Sequence, residues 1–194
     1  PVLLVLVPTI FMHSCANTTQ APSGGQKDSI PPVITKVSPA TRVRRVPLTG
    51  ARFVFSFDEY VTIKDAKGIV LSPPTSKPPK AKIKGKSVVV TIEDTLRANT
   101  TYTLDFTAAV ADNNEGNMFP GYTYVFSTGD DIDEMMICGE IRDCNTLQPV
   151  KGATVMLYKD LSDSSVFKGP GDAVAKTDDW GFFSIRNIPD TLYH

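Results

Sequence analysis

The chain has 194 residues, 41% of them hydrophobic, which is enough apolar surface for one or two packed cores and too much for a disordered tail. A formal net charge of −1 supplies no global field, so nucleic acid is excluded as a partner class and any charged contact has to come from a local patch. Histidine occurs only at His13 and His194, which leaves a Ser-His or Cys-His mechanism without a base inside a folded core.

The first element is an apolar run, Val2 to Met12, ended by Ser14-Cys15. Eleven residues are too few to cross a ~30 Å bilayer as a helix but suit the apolar centre of an export signal. A small residue directly before a cysteine is what a lipoprotein signal peptidase requires, so residues 1–15 read as a lipoprotein signal segment with Cys15 as the lipid attachment site. The chain begins at Pro1, without an initiating Met or a basic leader, and so reads as a fragment. Residues 16–32, with Ser23-Gly24-Gly25 and Pro31-Pro32 and almost no large apolar side chains, describe a flexible tether.

From Val33 the pattern changes to short runs of period-two alternation punctuated by Pro, Gly and Asn, as in antiparallel all-β domains. Phe53, Phe55 and Phe57 share one face of a strand, as do Val88, Val90 and Ile92, then Tyr102, Leu104 and Phe106, then Tyr122, Tyr124 and Phe126. Thr101, Thr103 and Asp105 are expected on the opposite, outer face of theirs. Gly85 is placed to turn a hairpin, because glycine accepts the positive φ such a turn demands. Lys80, Lys82, Lys84 and Lys86 alternate with Ala81, Ile83 and Gly85, which fits an edge strand that uses charge to block edge-to-edge pairing. The same row of ammonium groups could form a ligand face for an anionic glycan or lipid headgroup. Asp58 and Glu59 are neighbours on a strand and point to opposite faces, so they do not form a catalytic pair. Asp112-Asn113-Asn114-Glu115-Gly116-Asn117 is oxygen-rich; it reads as a turn, with Ca²⁺ binding as the alternative.

The stretch from about Ile30 to Thr128 resembles the bacterial Ig-like domains of surface proteins and of many Bacteroidetes lipoproteins, with the sandwich itself at residues 33–129. The resemblance is carried by Pro31-Pro32-Val33-Ile34 with Ser38-Pro39-Ala40, by Phe53 to Val61, by Leu96 to Tyr102, and by Tyr124 to Thr128. It implies an antiparallel β-sandwich. Tyr102 looks like a tyrosine corner, its hydroxyl bonded back to the preceding turn. The acidic run at residues 130–136 reads as a solvated linker. Residues 137–194 then resemble the prealbumin-like, carboxypeptidase-regulatory type of β-sandwich, through Gly139 to Asp143, Pro149 to Tyr158 and Thr177 to Ile185. Thr191 stands where that family has a glycine, and the sequence stops at His194 before the last strands, so this second sandwich is read as truncated. Cys138 and Cys144 lie six apart, ~20 Å in a strand against the ~7 Å limit between bridged Cα atoms, and read as small packing residues. Their spacing does not suit a zinc site.

Asp28-Ser29-Ile30, Asp94-Thr95-Leu96 and Asp190-Thr191-Leu192 are similar to the O-glycosylation sites of exported Bacteroidetes proteins, which implies Ser29, Thr95 and Thr191 as acceptors. The sequence thus points to a non-catalytic lipoprotein of the cell envelope, anchored in the outer membrane and facing the periplasm or the surface. It would serve as a spacer or protein-interaction scaffold, with no cofactor, no metal, and an envelope protein or glycan as partner. Two rival readings are a glycan-binding adhesin, with Tyr60, Phe119 and Trp180 as candidate exposed aromatics, and the accessory part of an enzyme whose catalytic domain follows His194.

Overall fold

The computed structural model describes residues 27–106 and 109–194; the apolar leader, Cys15 and most of the tether lie outside them. Alternating bulky and small side chains build two facing sheets in the first half. One sheet has the order β1 (Ile34–Ser38), β2 (Arg52–Phe57), β6 (Ser87–Thr91), β5 (Lys80–Lys84), all antiparallel. The other has the order β4 (Val70–Ser72), β7 (Thr101–Asp105), β9 (Thr123–Ser127), and β3 (Val61–Ile63) pairs separately with β8 (Val110–Asp112), with β3 lying near β5. The registers Phe53 opposite Val90 and Phe55 opposite Val88 put the phenylalanines and valines on one inner face, as the period of two requires.

That face meets the aromatic rows of β7 and β9. Phe53 packs at 5.0 Å from Tyr124 and 4.6 Å from Phe126, Phe55 lies edge-on to Phe106 at 4.5 Å, and Tyr102 stacks on Phe126 at 5.3 Å. Tilted and edge-to-face pairs of this kind add about 0.5–1.5 kcal/mol each beyond the area they bury. The chain is therefore an all-β sandwich in this half, with its core where the alternation puts it.

The second half is two antiparallel ribbons, β10 (Met135–Glu140) with β13 (Phe182–Ile188) and β11 (Thr154–Leu157) with β12 (Ala173–Lys176). A single helical turn, α1 (Ser165–Lys168), lies between β11 and β12. Its core is small: Ala173, Ile185 and Ile188 are buried, with Val155, Leu157 and Tyr193 packed against them. Met135, Met136 and Cys138 on β10 are exposed, as is Cys144 in the following turn. The two cysteines are thus surface residues and not packing residues. β10 is paired along one edge only among the described residues, with β13.

The two halves are not independent. Thr101 and Thr103, expected on a wet outer face, are buried together with Ser72, because β12 and β13 rest on the outer side of the β4–β7–β9 sheet. The acidic segment between the halves is likewise bound and not freely solvated. Arg42 donates to Glu134 at 2.7 Å, Arg45 pairs with Asp130, the Asp133 amide donates to Thr101 Oγ1 at 2.9 Å, and Ile132 is buried. The Arg45 guanidinium holds the Asp130 carboxyl below the usual carboxylate range. Among the described residues no helix is long and apolar enough to cross a membrane.

Candidate functional site

The lysine row lies on the outermost strand of its sheet. Among the described residues β5 pairs only with β6, and Gly85, at φ +59°, is the first residue of the two-residue turn between them, the place where a type II′ turn takes glycine. Lys80, Lys82 and Lys84 are exposed along this edge, and Lys86 occupies the turn. The four do not converge on one point. Lys80 is paired with Glu93 at 2.6 Å and holds that carboxyl below its ordinary range. Lys86 donates to the Asp58 carbonyl at 2.7 Å and sits 5.6 Å from the centre of the Tyr60 ring. Lys82 and Lys84 remain as the charges of the edge itself. Asp58 in turn accepts the Val33 amide through Oδ1 at 2.9 Å, a tie between β2 and the chain before β1.

In the Asp112 loop the carboxylate is already occupied. Oδ1 accepts the amides of Asn114, Glu115 and Gly116 at 2.8, 2.6 and 3.0 Å, and Oδ2 accepts the Asn117 amide at 2.6 Å. Burial alone would raise this carboxyl, but the backbone donors outweigh it and keep it below the usual range. The loop is a turn clamped by one buried aspartate. Asn117 reaches from it to the carbonyl of Asp28 at 3.0 Å, fixing the chain ahead of β1.

Ser29, Thr95 and Thr191 are all exposed, on three separate loops. Asp28 Oδ1 accepts the Ile30 amide at 2.8 Å, and Asp94 accepts the amides of Thr95 and Lys77, so two of the three acidic neighbours shape their own turn. Of the aromatic candidates, Phe119 is a core residue, packed edge-on to Phe57 at 5.3 Å, and is withdrawn as a surface platform. Tyr60 and Trp180 are exposed, at 60% and 75%.

What the sequence does not signal is the junction of the two halves. The Val174 amide donates to Ser72 Oγ at 2.9 Å, a buried bond across 102 residues of chain. Arg97 Nη1 donates to Asp172 Oδ1 at 2.9 Å, Lys176 Nζ to the Lys67 carbonyl at 3.1 Å, and Asn187 Nδ2 to the Asp133 carbonyl at 2.8 Å. Beside these contacts a groove of about 720 Å³ opens between the halves. Tyr122, Thr123 and Asp105 line it from the first half, and Lys176, Trp180 and Arg186 from the second.

Comparison with known proteins places residues 28–128 in the bacterial Ig-like domain family. Two solved structures resemble the chain. An L,D-transpeptidase from Mycobacterium smegmatis is 13% identical with a TM-score of 0.36, over 84% of this chain and 79% of that one. An L,D-transpeptidase from Mycobacterium tuberculosis H37Rv is 13% identical with a TM-score of 0.30, over 83% of this chain and 78% of that one. No curated protein matches the chain.

Proposed function

We propose, from the premise that the chain belongs to the bacterial Ig-like domain family, that it is a non-catalytic spacer and interaction scaffold of the cell envelope. In this reading lipid on Cys15 supplies membrane affinity, residues 16–32 supply reach, and the two β-units hold a binding surface at a fixed distance from the bilayer. A spacer needs stiffness, and the observation that carries the reading is the braced junction. Were the segment at 130–136 a free linker, the second unit would swing on it. Instead the buried bond from Val174 to Ser72 and the ties of Arg97 to Asp172 and of Lys176 to Lys67 join the units directly, and Asn187 fastens the second unit to Asp133 of the segment itself.

Membership of a family whose domains occur in extracellular and envelope proteins supports the location. The scarcity of histidine supports a role without Ser-His or Cys-His nucleophilic chemistry: His194 is exposed, and its backbone amide and carbonyl bond to Tyr158. The resemblance of residues 137–194 to prealbumin-like sandwiches and the attachment to an outer membrane belong to the same proposal. Stable anchoring takes more than one acyl chain, which the diacyl modification of a lipoprotein cysteine provides.

The test is metabolic labelling of the full-length protein with an alkyne fatty acid, beside Cys15→Ala, followed by membrane fractionation. Label and membrane association that both vanish with Cys15 are the expected result. Membrane association that survives without label in either protein overturns the lipid anchor.

A further inference from the structure

We infer that the groove between the two β-units is a binding site for an uncharged oligosaccharide, with Trp180 as its stacking platform. The volume, about 720 Å³, lies within the ~300–1,000 Å³ of small-molecule sites. Trp180 is three-quarters exposed on the rim of this groove, where an indole has no packing role to perform. Tyr122, part-buried against the core with its ring 6.2 Å from that of Phe55, lines the same groove from the other unit.

The backbone turn that carries the platform is clamped. Asp178 Oδ1 accepts the amides of both Trp180 and Phe182 at 2.9 Å, and the Gly181 amide donates to the Asp178 carbonyl at 3.0 Å. Gly181 has φ +74°, and a Cβ built there would lie 2.4 Å from the Ile141 carbonyl oxygen, so the turn presenting the indole admits no side chain at that position. With the backbone pre-ordered, binding has only the side-chain torsions of the indole left to fix.

The rest of the lining selects the ligand class. An apolar ligand would strip water from Lys176 and Arg186, cations with more donors than the Lys67 carbonyl and the Ser184 hydroxyl take up. Hydroxyl groups both donate and accept, and the groove offers carboxylate acceptors beside guanidinium and ammonium donors. Four carboxylates (Asp65, Asp105, Asp178, Asp179) stand against three cations (Lys151, Lys176, Arg186), and Lys151 is already paired with Asp179 at 2.6 Å. That balance gives no net attraction for a polyanion. A sugar ring, with an apolar C–H face and a rim of hydroxyls, matches an aromatic platform flanked by such groups.

Trp180 is the single tryptophan, so its emission reports the groove directly. The full chain is titrated with chitohexaose, cellohexaose and maltoheptaose, and with poly-L-lysine and poly-L-glutamate as polypeptide probes. The expected result is a saturable, blue-shifted change with at least one sugar. Calorimetry on Trp180→Ala should then show at least about tenfold weaker binding, while Lys84→Ala, on the remote edge, binds as the native chain does. Circular dichroism of Trp180→Ala confirms that the fold is kept, as expected for so exposed a side chain. No response to any sugar, sugar binding undiminished in Trp180→Ala, or a response to the polypeptides alone each overturns the proposal. None of these outcomes bears on the spacer reading, whose test is the labelling of Cys15.

Discussion

At the scale of single residues, two polar groups fasten loops that would otherwise leave backbone donors unpaired. Tyr102 is buried, and its phenol oxygen accepts the Arg97 amide at 2.8 Å, closing the corner that leads into β7. Burial raises its pKa, so the phenol stays neutral across the physiological range. Tyr102→Phe keeps the ring on Phe126 and removes only that acceptor. The expected cost is about 1–2 kcal/mol, read as a fall of some 2–4 °C in Tm per kcal/mol for a chain of this length. An unchanged Tm would mean that water replaces the phenol. Asp112 is the second fastener. Its carboxyl is held below the unfolded value of ~3.9, so its contribution to stability is complete above that value and is lost as the pH falls through the lower, folded one. Asp112→Asn should therefore lie below the native protein in Tm at pH 7 and pH 5, with the gap narrowing below pH ~4. Parallel melting curves at pH 7, 5, 4 and 3 decide it. A gap that stays constant into acid would assign the effect to shape and not to charge.

At the scale of elements, the β5–β6 hairpin shows what a sequence can disclose and what it cannot. Alternation in Phe53-Val54-Phe55-Ser56-Phe57 and in β6 identifies the buried face, because a strand with one wet side must repeat every two residues. Gly85 marks the turn for an equally local reason, its positive φ. The same logic fails for Thr101 and Thr103. Their outer face is covered by β12 and β13, and small hydroxyl residues suit a dry interface as well as a wet surface. It fails as well for the acidic segment, since Arg42 and Arg45, which neutralise Glu134 and Asp130, stand 92 and 85 residues away. The groove is legible only in part: Trp180 reads as a candidate exposed aromatic, but nothing local in the sequence brings Tyr122 and Asp105 of the other unit to the same groove. For the edge, the prediction follows from charge. With Lys82 and Lys84 both changed to Val, β5 presents an unpaired, apolar ladder. The double variant should keep the native Tm within about 1 °C per ~0.5 kcal/mol of surface change yet self-associate, seen as concentration-dependent mass in light scattering. A variant that stays monomeric at high concentration would show that Pro73-Pro74 and Pro78-Pro79 guard the edge without the lysines.

At the scale of the whole molecule, the junction decides whether the chain is two beads on a string or one body. Its surface ion pair, Arg97 to Asp172, is half exposed and contributes at most ~1 kcal/mol. The bond from the Val174 amide to Ser72 Oγ is buried, and removing the acceptor leaves a desolvated N–H at a cost of about 1–3 kcal/mol. Rigidity therefore rests more on Ser72 than on the charges around it. A direct measurement uses Cys144, which is exposed on the second unit, and Lys36→Cys on β1 of the first, with Cys15 and Cys138 changed to Ser. Nitroxides on the two sites should give a single narrow distance distribution by pulsed electron resonance. Adding Ser72→Ala should broaden it, whereas Arg97→Ala should barely do so, and high salt should leave it unchanged because the controlling contact is neutral and buried. A broad distribution in the parent protein would mean that the units move about the segment at 130–136 despite its ties. The spacer would then lose its stiffness and the groove its fixed walls, so this one distance bears on the mechanical reading and on the sugar site together.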